Sequence, residues 1–349
     1  MPKGSQRVDL TKRDVPVIRD VAARAGVSTA TVSRVFSGAA GVRADKRESV
    51  LKAARELGFV ANSAARALTT RRFMAVGAIV PNLGNEAFVR ALVSFQERLR
   101  GAGYTMVTAN AGYDLKDELR EATFLLERGV DGLMLVGDIH HADLYDLIGR
   151  KKVPFVQAFT LSKAHHCVGF DNKAAGVRVA QYLMSLGHRR IGLVSSARKD
   201  NDRGGARAAG VLQALKSRGL RIASGHDVEM AYGIAGGRDA LRQILAAPGA
   251  APTAVICGTD QIAFGLMAEA AARGVRIPQD LSVVGFNDSD FSPFLTPPLT
   301  TTRIHSSEIG LMAAENLVAQ MSGAPSQRVT EIEADLIVRE SACPPRSRR

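Results

Sequence analysis

From Phe73 onward, short apolar runs alternate with longer stretches that have helical periodicity. The apolar runs are candidate strands: Met74–Val80, Tyr104–Ala109, Gly132–Val136, Pro154–Phe159, Ile191–Ser195, Ala254–Cys257 and Ser282–Phe286. Strands that alternate with amphipathic helices form parallel sheets covered on both faces. Because this region is longer than one doubly wound unit, we predict an α/β fold of two lobes with a ligand cleft at the carboxyl ends of the strands.

The positive charge of the chain is concentrated near its N-terminus. Of the formal net charge of +12, residues 1–72 carry +9, since 15 lysines and arginines stand there against 6 acidic residues. A compact basic region joined to a nearly neutral body indicates a polyanionic partner for that region alone. A solvated charged face is the alternative interpretation.

Residues 17–60 have the pattern of three short helices. The first has apolar residues at helical spacing: Ile18, Val21, Ala22 and Ala25. Gly26 follows as a left-handed helix end, and Ser28 is a suitable N-cap for the second helix. A tight turn containing glycine between two short helices is typical of a helix-turn-helix. The third helix is predicted over Asp45–Leu57, and its inward-facing residues are Val50, Leu51, Ala54 and Leu57.

The second helix, predicted over Thr29–Ser37, divides into two faces. Val32, Val35 and Phe36 face the core. The outer face carries the candidate DNA-binding residues Thr29, Ala30, Ser33, Arg34 and Ser37. Hydroxyl groups bond phosphates or base edges, an arginine fork fits guanine, and methyl groups contact thymine. We therefore predict double-stranded DNA as a partner, with a generic amphipathic helix as the alternative.

The sequence contains no motif typical of catalysis or metal binding. GxSxG, Walker, GxGxxG and HExxH patterns are all missing. His165 and Cys167 would share one face of a strand, but two candidate ligands do not complete a zinc site. An enzyme and a regulator are the classes to weigh, and the missing reactive cluster favours a regulator with no cofactor and no metal.

The cysteines and the apolar runs bear on location. Cys167, Cys257 and Cys343 are far apart and predict no disulfide framework, which fits a reducing cytoplasm. The first thirty residues contain no apolar segment of a secretory signal, so an exported transport receptor is not expected. The longest apolar run, Met74–Val80, is too short to span a bilayer. We expect a cytoplasmic protein with no membrane partner.

Six stretches along the chain form a characteristic series: VIRDVAARAGVSTATVSRVFSG (17–38), ARELGFVANSAARAL (54–68), LGHRRIGLV (186–194), LSVVGFND (281–288), PPLTT (297–301) and LIVRES (336–341). In order and spacing they resemble the lactose/galactose repressor (LacI) family of bacterial transcriptional regulators. The resemblance covers about residues 17–341. It implies a periplasmic-binding-protein-like body and a repressor that binds a palindromic operator as a homodimer under the control of a small-molecule effector.

The resemblance also implies a division of the chain. The expected parts are a disordered basic tail (1–16), the helix-turn-helix domain (17–60), a hinge helix or linker (61–72), an effector-binding and dimerisation domain (73–341) and a basic tail (342–349). Lobe one is expected to take about 73–171 and 305–333, and lobe two about 172–304 and 334–341. The ending SACPPRSRR has no leucine repeat, so we expect a dimer rather than a tetramer.

The connector NSAARAL, residues 62–68, resembles the hinge helix of the family. By that resemblance Asn62, Ala65 and Leu68 take part in DNA binding. Ala65 would pack near the dimer axis, and Leu68 would wedge into the minor groove and kink the duplex. Ala61 replaces the proline that the family usually has there, so the start of this helix is less fixed. A plain linker is the alternative.

By the same resemblance, the effector site draws on Phe88, Phe159, Arg207, Tyr232, Asp260 and Asn287. Arg207 matches the effector-binding arginine of the family, whose fork of donors suits vicinal hydroxyls or a carboxylate. Phe159 and Thr259 stand where the family often has Asp and Asn, so this pocket would lose two polar groups. We expect a sugar or sugar-acid-like effector. The alternatives are a surface salt bridge for Arg207 and ordinary core or loop positions for the others.

Overall fold

The computed structural model describes residues 16–36, 41–60, 72–196 and 198–346. The chain divides into two compact units, residues 1–73 and residues 74–349, here called the head and the body. None of the helices in the described ranges is both long and apolar enough to cross a membrane.

The head contains three helices, α1 (Ile18–Ala25), α2 (Thr29–Phe36) and α3 (Ala44–Leu57). Its buried core is small and aliphatic: Val21, Ala22, Val32, Val35, Val50, Ala53 and Ala54. The prediction that Leu51 faces inward is wrong, because its side chain is 37% exposed and Ala53 takes the buried position. The three helices are close together, so the small side chain of alanine fits between them.

The body contains two six-stranded sheets. The first is built from β1 (Ala75–Val80), β2 (Thr105–Asn110), β3 (Gly132–Val136), β4 (Phe155–Ala158), β5 (Cys167–Gly169) and β11 (Val329–Glu331), all parallel, in the order β11-β5-β4-β3-β1-β2. The second is built from β6 (Ile191–Ser195), β7 (Asp227–Glu229), β8 (Ala254–Cys257), β9 (Ser282–Asn287), β10 (Thr300–Arg303) and β12 (Asp335–Ile337), in the order β12-β10-β9-β8-β6-β7. Only β12, on β10, is antiparallel. Each sheet is therefore assembled from separate stretches of the chain, and the chain crosses between the lobes three times.

Helices cover both faces of each sheet. Lobe one carries α4 (Glu86–Gly101), α5 (Leu115–Glu127), α6 (Ala142–Lys151) and α11 (Ser306–Ser322). Lobe two carries α7 (Asn172–Ser185), α8 (Asp202–Ser217), α9 (Ile234–Ala246) and α10 (Asp260–Ala272). All seven apolar runs singled out in the sequence are strands, and the predicted α/β fold of two doubly wound lobes is confirmed.

Glycines allow neighbouring helices of the body to approach closely. A Cβ atom on Gly210 of α8 would lie 2.1 Å from the carbonyl oxygen of Lys173 in α7, and one on Gly176 would lie 2.2 Å from the carbonyl oxygen of Arg207. In lobe one, a Cβ on Gly310 of α11 would lie 2.0 Å from the carbonyl oxygen of Ala91 in α4. These oxygens belong to backbone that cannot rotate away, so a larger residue would push the helices apart.

We expect Gly210→Ala to lower the free energy of unfolding by about 1–3 kcal/mol, because the added methyl group overpacks the α7–α8 contact. Gly205→Ala in the same helix is the matched control. The nearest atom to its Cβ, apart from its chain neighbours and the backbone of its own helix, would be the carbonyl oxygen of Arg198, at 3.7 Å. That variant should gain about 0.5–1 kcal/mol from better helix propensity. Urea unfolding of the full chain measures both, and equal shifts in the two variants would contradict the packing argument.

Candidate functional site

The turn between α1 and α2 is built by local backbone chemistry. Gly26 has a φ of 65°, a left-handed conformation that glycine adopts without strain. The amide of Val27 then donates to the carbonyl of Ala22 over 3.0 Å, which closes α1. The hydroxyl oxygen of Ser28 accepts a hydrogen bond from the amide of Thr31 over 3.2 Å, which caps the start of α2.

Helix α2 presents a polar face to solvent. Val32 and Val35 are buried, whereas the predicted reading residues Thr29, Ala30, Ser33 and Arg34 are exposed. Helix α3 packs against α1, and an ion pair of 2.8 Å joins Glu56 of α3 to Arg24 of α1. The exposed face therefore combines hydroxyls, a methyl group and one guanidinium on a supported helix, which suits insertion into a major groove. Ser37, Asn62, Ala65 and Leu68 lie outside the described residues.

A narrow cavity of about 20 Å³ lies between the two lobes of the body. It is lined by Asn85, Ala87, Phe88, Tyr113, Phe159, Phe170, Ser196, Asn201, Arg203, Arg207, Thr259, Asn287 and Ile304. Four of the six predicted effector residues are therefore brought together here: Phe88, Phe159, Arg207 and Asn287. The side chain of Asn287 approaches that of Asn85 across the cavity, with 3.5 Å between amide nitrogen and amide oxygen.

Arg207 is partly buried and extends from α8 into this cavity. Its Nη1 donates to Oδ1 of Asn172 over 2.8 Å, and its guanidinium carbon lies 4.5 Å from the ring centre of Phe286. Its Nε is buried without a hydrogen-bond partner in the described residues. Burial, and then the neighbouring charge of Arg203, lower the pKa of the Arg207 guanidinium to about 10. The group remains a cation at neutral pH, with donors still to be used.

Asn172 fixes the direction of Arg207. It is the first residue of α7, and its amide nitrogen donates to the carbonyl oxygens of Phe159 (3.0 Å) and Phe170 (3.3 Å). Phe159 has a φ of 65°, a conformation that is uncommon for a bulky residue. Its ring meets that of Phe88 edge to face at 5.1 Å. The backbone at the end of β4 and the guanidinium of Arg207 are therefore held by one amide side chain.

Arg203 adds a second guanidinium to the cavity, and the sequence reasoning missed it. Its Nη1 donates to the carbonyl of Val136 in lobe one (2.9 Å) and to Oδ1 of Asp202 (2.8 Å). The available signal was spacing, because positions 203 and 207 lie one helical turn apart on the same face of α8. The guanidinium of Arg203 can approach the backbone of lobe one this closely because residue 137 is glycine. A Cβ atom at Gly137 would fall 1.9 Å from Nη1 of Arg203.

Comparison with known proteins gives a family match in the head and another in the body. Residues 17–62 match a family described as bacterial regulatory proteins, lacI family, and residues 180–342 match a periplasmic binding protein-like domain. HTH-type transcriptional regulator reg1 of Streptomyces lividans is 35% identical over 324 residues, which cover 88% of this chain and 91% of the relative. The chain belongs to the LacI family. HTH-type transcriptional regulator GntR of Pseudomonas aeruginosa is 32% identical, with coverage of 93% and 95%. A solved transcriptional regulator CelR–cellobiose complex is 28% identical, with a TM-score of 0.69 and coverage of 93% and 99%.

The chain is accordingly a DNA-binding transcriptional regulator of the LacI family, and the relatives are named as regulators rather than enzymes. Among the residues that the structure describes, no group of three or more His, Cys, Asp or Glu side chains could hold a metal ion. His140 instead pairs with Glu118 inside lobe one, with 2.9 Å between Nδ1 and the carboxylate.

Two of the residues that the LacI resemblance assigns to the effector site are not among the lining residues. Asp260 is fully buried and accepts hydrogen bonds from the hydroxyls of Thr301 (2.6 Å) and Ser292 (2.9 Å) and from the amide of Ser289 (2.7 Å). Burial raises the pKa of its carboxyl group. This geometry makes Asp260 an anchor for the loop after β9. Tyr232 is partly buried, and burial likewise raises the pKa of its phenol.

Polar contacts tie the two lobes of this LacI-family body together beside the cavity. On one side, Oδ2 of Asp202 accepts hydrogen bonds from the amide of Asp138 (3.0 Å) and the hydroxyl of Thr160 (3.1 Å). On the other, Arg90 of lobe one bonds the carbonyl of Asp288 (3.0 Å) and pairs with Asp290 (3.3 Å). The residues that line the cavity are therefore close neighbours of those that hold the lobes together.

Proposed function

We propose that this regulator is a repressor that binds a palindromic operator as a homodimer, and that a sugar or sugar-acid-like effector in the interlobe cavity changes its operator affinity. The observation that carries the proposal is the placement of Arg207 between two lobes of the body, with unused donors directed at a polar cavity. The related CelR regulator, solved as a cellobiose complex, supports a carbohydrate-like effector.

In this proposal α2 enters the major groove of the operator. Thr29, Ala30, Ser33 and Arg34 form the reading face because they are exposed on a helix whose other face is packed. Ser37, Asn62, Ala65 and Leu68 extend the contact by the family resemblance. The charge of +9 in residues 1–72 supplies attraction to phosphates, which falls as salt rises.

The proposed dimer surface lies on lobe one. Val89 and Val93 of α4, one helical turn apart, are 40% and 51% exposed. Strand β2 lies at the edge of the sheet beside α4, and its Val107 is 40% exposed. An apolar helix face beside an open sheet edge favours association with a second copy, and a twofold dimer matches a palindromic site.

The proposed coupling follows from the size of the cavity. A volume of about 20 Å³ holds about one water molecule, so a sugar-sized effector enters only when the lobes move apart. An effector that binds one lobe arrangement better than the other shifts the population between them. Lobe one follows the hinge segment in the chain, so this shift alters the spacing of the two hinges in a dimer. Operator DNA must then change effector affinity by the same factor.

The direct test uses the full chain with an operator selected from random-sequence DNA. Operator affinity is measured by gel shift with and without each member of a panel of sugars and sugar acids, and the same mixtures are assayed for turnover. A panel member that changes operator affinity without being consumed supports the proposal. Turnover of a panel member with no change in DNA binding would contradict it.

We expect Arg34→Ala to weaken binding to the selected operator by about 1–3 kcal/mol, because a groove contact to a base is lost. Binding to random DNA should change much less. Arg24→Ala is the matched control, since Arg24 pairs with Glu56 on the supporting side of the head. Gel shifts with both DNAs measure the effect. An equal loss on operator and random DNA would show that Arg34 contacts phosphate rather than a base.

A further inference from the structure

The interlobe cavity is lined by two guanidinium groups and by no carboxylate. The lining residues named above include Arg203 and Arg207 but neither Asp nor Glu. The remaining polar lining is neutral, with amide groups from Asn85, Asn201 and Asn287 and hydroxyl groups from Tyr113, Ser196 and Thr259. A small, largely buried site with this lining has an excess of positive charge.

Protein groups leave part of this charge uncompensated. In the described ranges Arg207 forms no ion pair with a carboxylate, and its one hydrogen bond goes to the neutral amide of Asn172. Arg203 pairs with Asp202, but the other oxygen of that carboxylate is taken by the amide of Asp138 and the hydroxyl of Thr160. The formal charges of Arg203, Arg207 and Asp202 therefore sum to +1. Burying a cation without a partner is costly, and an anion in the cavity would relieve that cost.

The electrostatics of Arg207 agree with this reading. Burial and the charge of Arg203 both lower its pKa, to about 10, so the two cations destabilise each other. The group nevertheless stays charged at neutral pH. The buried and unpartnered Nε of Arg207 gives a position at which a further acceptor would bind.

We infer that the effector is a polyhydroxylated carboxylic acid whose carboxylate is bound by Arg203 and Arg207. This inference rests on the proposed function and narrows it from a sugar or sugar acid to the acid. A monoanion matches the net charge of about +1, and a guanidinium fork fits the two oxygens of a carboxylate. The amide and hydroxyl groups would bind the hydroxyls, and the rings of Phe88 and Phe159 would pack on the carbon chain.

The test is a binding measurement on the full-length protein with paired probes. Six-carbon aldonates and uronates are each compared with the matching neutral aldonamide or aldose, and a sugar phosphate is included. Isothermal titration calorimetry gives the affinities. We expect the best acid to bind about 10- to 100-fold more tightly than its neutral partner, the gain of one to two charge-assisted hydrogen bonds. The ratio should stay constant between about pH 6 and 8, because the carboxylic acid is ionised and Arg207, with a pKa of about 10, is protonated throughout that range.

Variants at Arg203 separate recognition from support of the fold. Arg203→Met removes the charge and should bring the ratio of acid to neutral affinity close to one, whereas Arg203→Lys should restore part of it. A purely structural role would weaken both probes equally and leave the ratio unchanged. Arg198→Met is the matched control, because Arg198 is ion-paired with Asp227 and lies outside the cavity lining. It should keep the wild-type ratio.

The other possible results distinguish failure of the carboxylate inference from failure of the proposed effector control. A neutral sugar that binds as tightly as its acid and changes operator affinity overturns the inference and leaves the proposed function standing. A sugar phosphate that binds more tightly than any carboxylate overturns the assignment to a carboxylate. If no member of the panel binds or changes operator affinity, both the inference and the proposed effector control are overturned.

Discussion

Replacing Arg207 with alanine should abolish the effector response while leaving operator binding intact. The guanidinium of Arg207 bonds Asn172 beside the cavity, and the close α7–α8 contact at this position involves the backbone oxygen of Arg207, which alanine retains. Losing two or more hydrogen bonds from a charged donor should lower effector affinity by at least about 100-fold. Operator gel shifts with increasing effector, together with calorimetry, measure the two effects.

Two companion variants sharpen this prediction. Lys216→Ala, on the exposed side of the same helix, should respond to effector like the wild type. Arg207→Lys keeps the charge but loses the planar fork and should recover only part of the affinity. If Arg207→Ala still responds at ordinary effector concentrations, then Arg207 is structural and the effector binds elsewhere.

Val93→Glu should dissociate the proposed dimer and lower operator affinity by about 100-fold or more. A charge in the middle of the apolar face of α4 would be buried against the second copy without a partner. A single head then loses the high effective concentration that linkage to a second head provides. Sedimentation gives the oligomeric state, and gel shifts at nanomolar protein give the affinity.

The control for this prediction lies on the opposite face of the same lobe. Phe124 of α5 is 45% exposed, and α5 packs on the sheet face that α4 does not cover. Phe124→Glu should leave both the mass in solution and operator affinity unchanged. A Val93→Glu protein that remains a dimer would exclude α4 as the interface.

The strands that consist mainly of apolar residues were predicted from the sequence. Strands with few apolar residues, which are buried because distant residues bond their polar groups, were missed. Strand β10 reads Thr-Thr-Thr-Arg, yet its three threonines are buried. Their polar groups are largely satisfied by distant residues, as when Thr301 donates to Asp260 and the amide of Thr300 donates to Ser341. Strand β7 contains only one apolar residue, Val228. No local pattern reports such contacts, so these strands follow only from the assembled sheet.

In the candidate site, too, some residues were identified from the sequence and others only from the structure. Arg207 was found because the motif around it resembles a family, whereas Arg203 has no motif and enters the cavity only because Gly137 of lobe one leaves room for it. Asp260 was assigned to the cavity by its place in a motif. The structure instead surrounds it with three donors from the loop after β9 and from β10. The sequence motifs indicated which parts of the chain lie near the cavity. Whether a given side chain points into the cavity could be seen only in the tertiary structure.

The interleaved construction of the lobes sets an order of events during synthesis. Among the described residues, the core of helices α1 to α3 is formed within residues 18–59, so the core of the head is available early in translation. Helix α4 packs against α11, and the sheet of lobe one is finished only by β11, both near the end of the chain. A nascent chain thus carries a finished reading head long before the proposed dimer surface has its support. In the proposed dimer, pairing of two copies and the tight operator binding that depends on it would therefore follow the emergence of α11 and β11 from the ribosome.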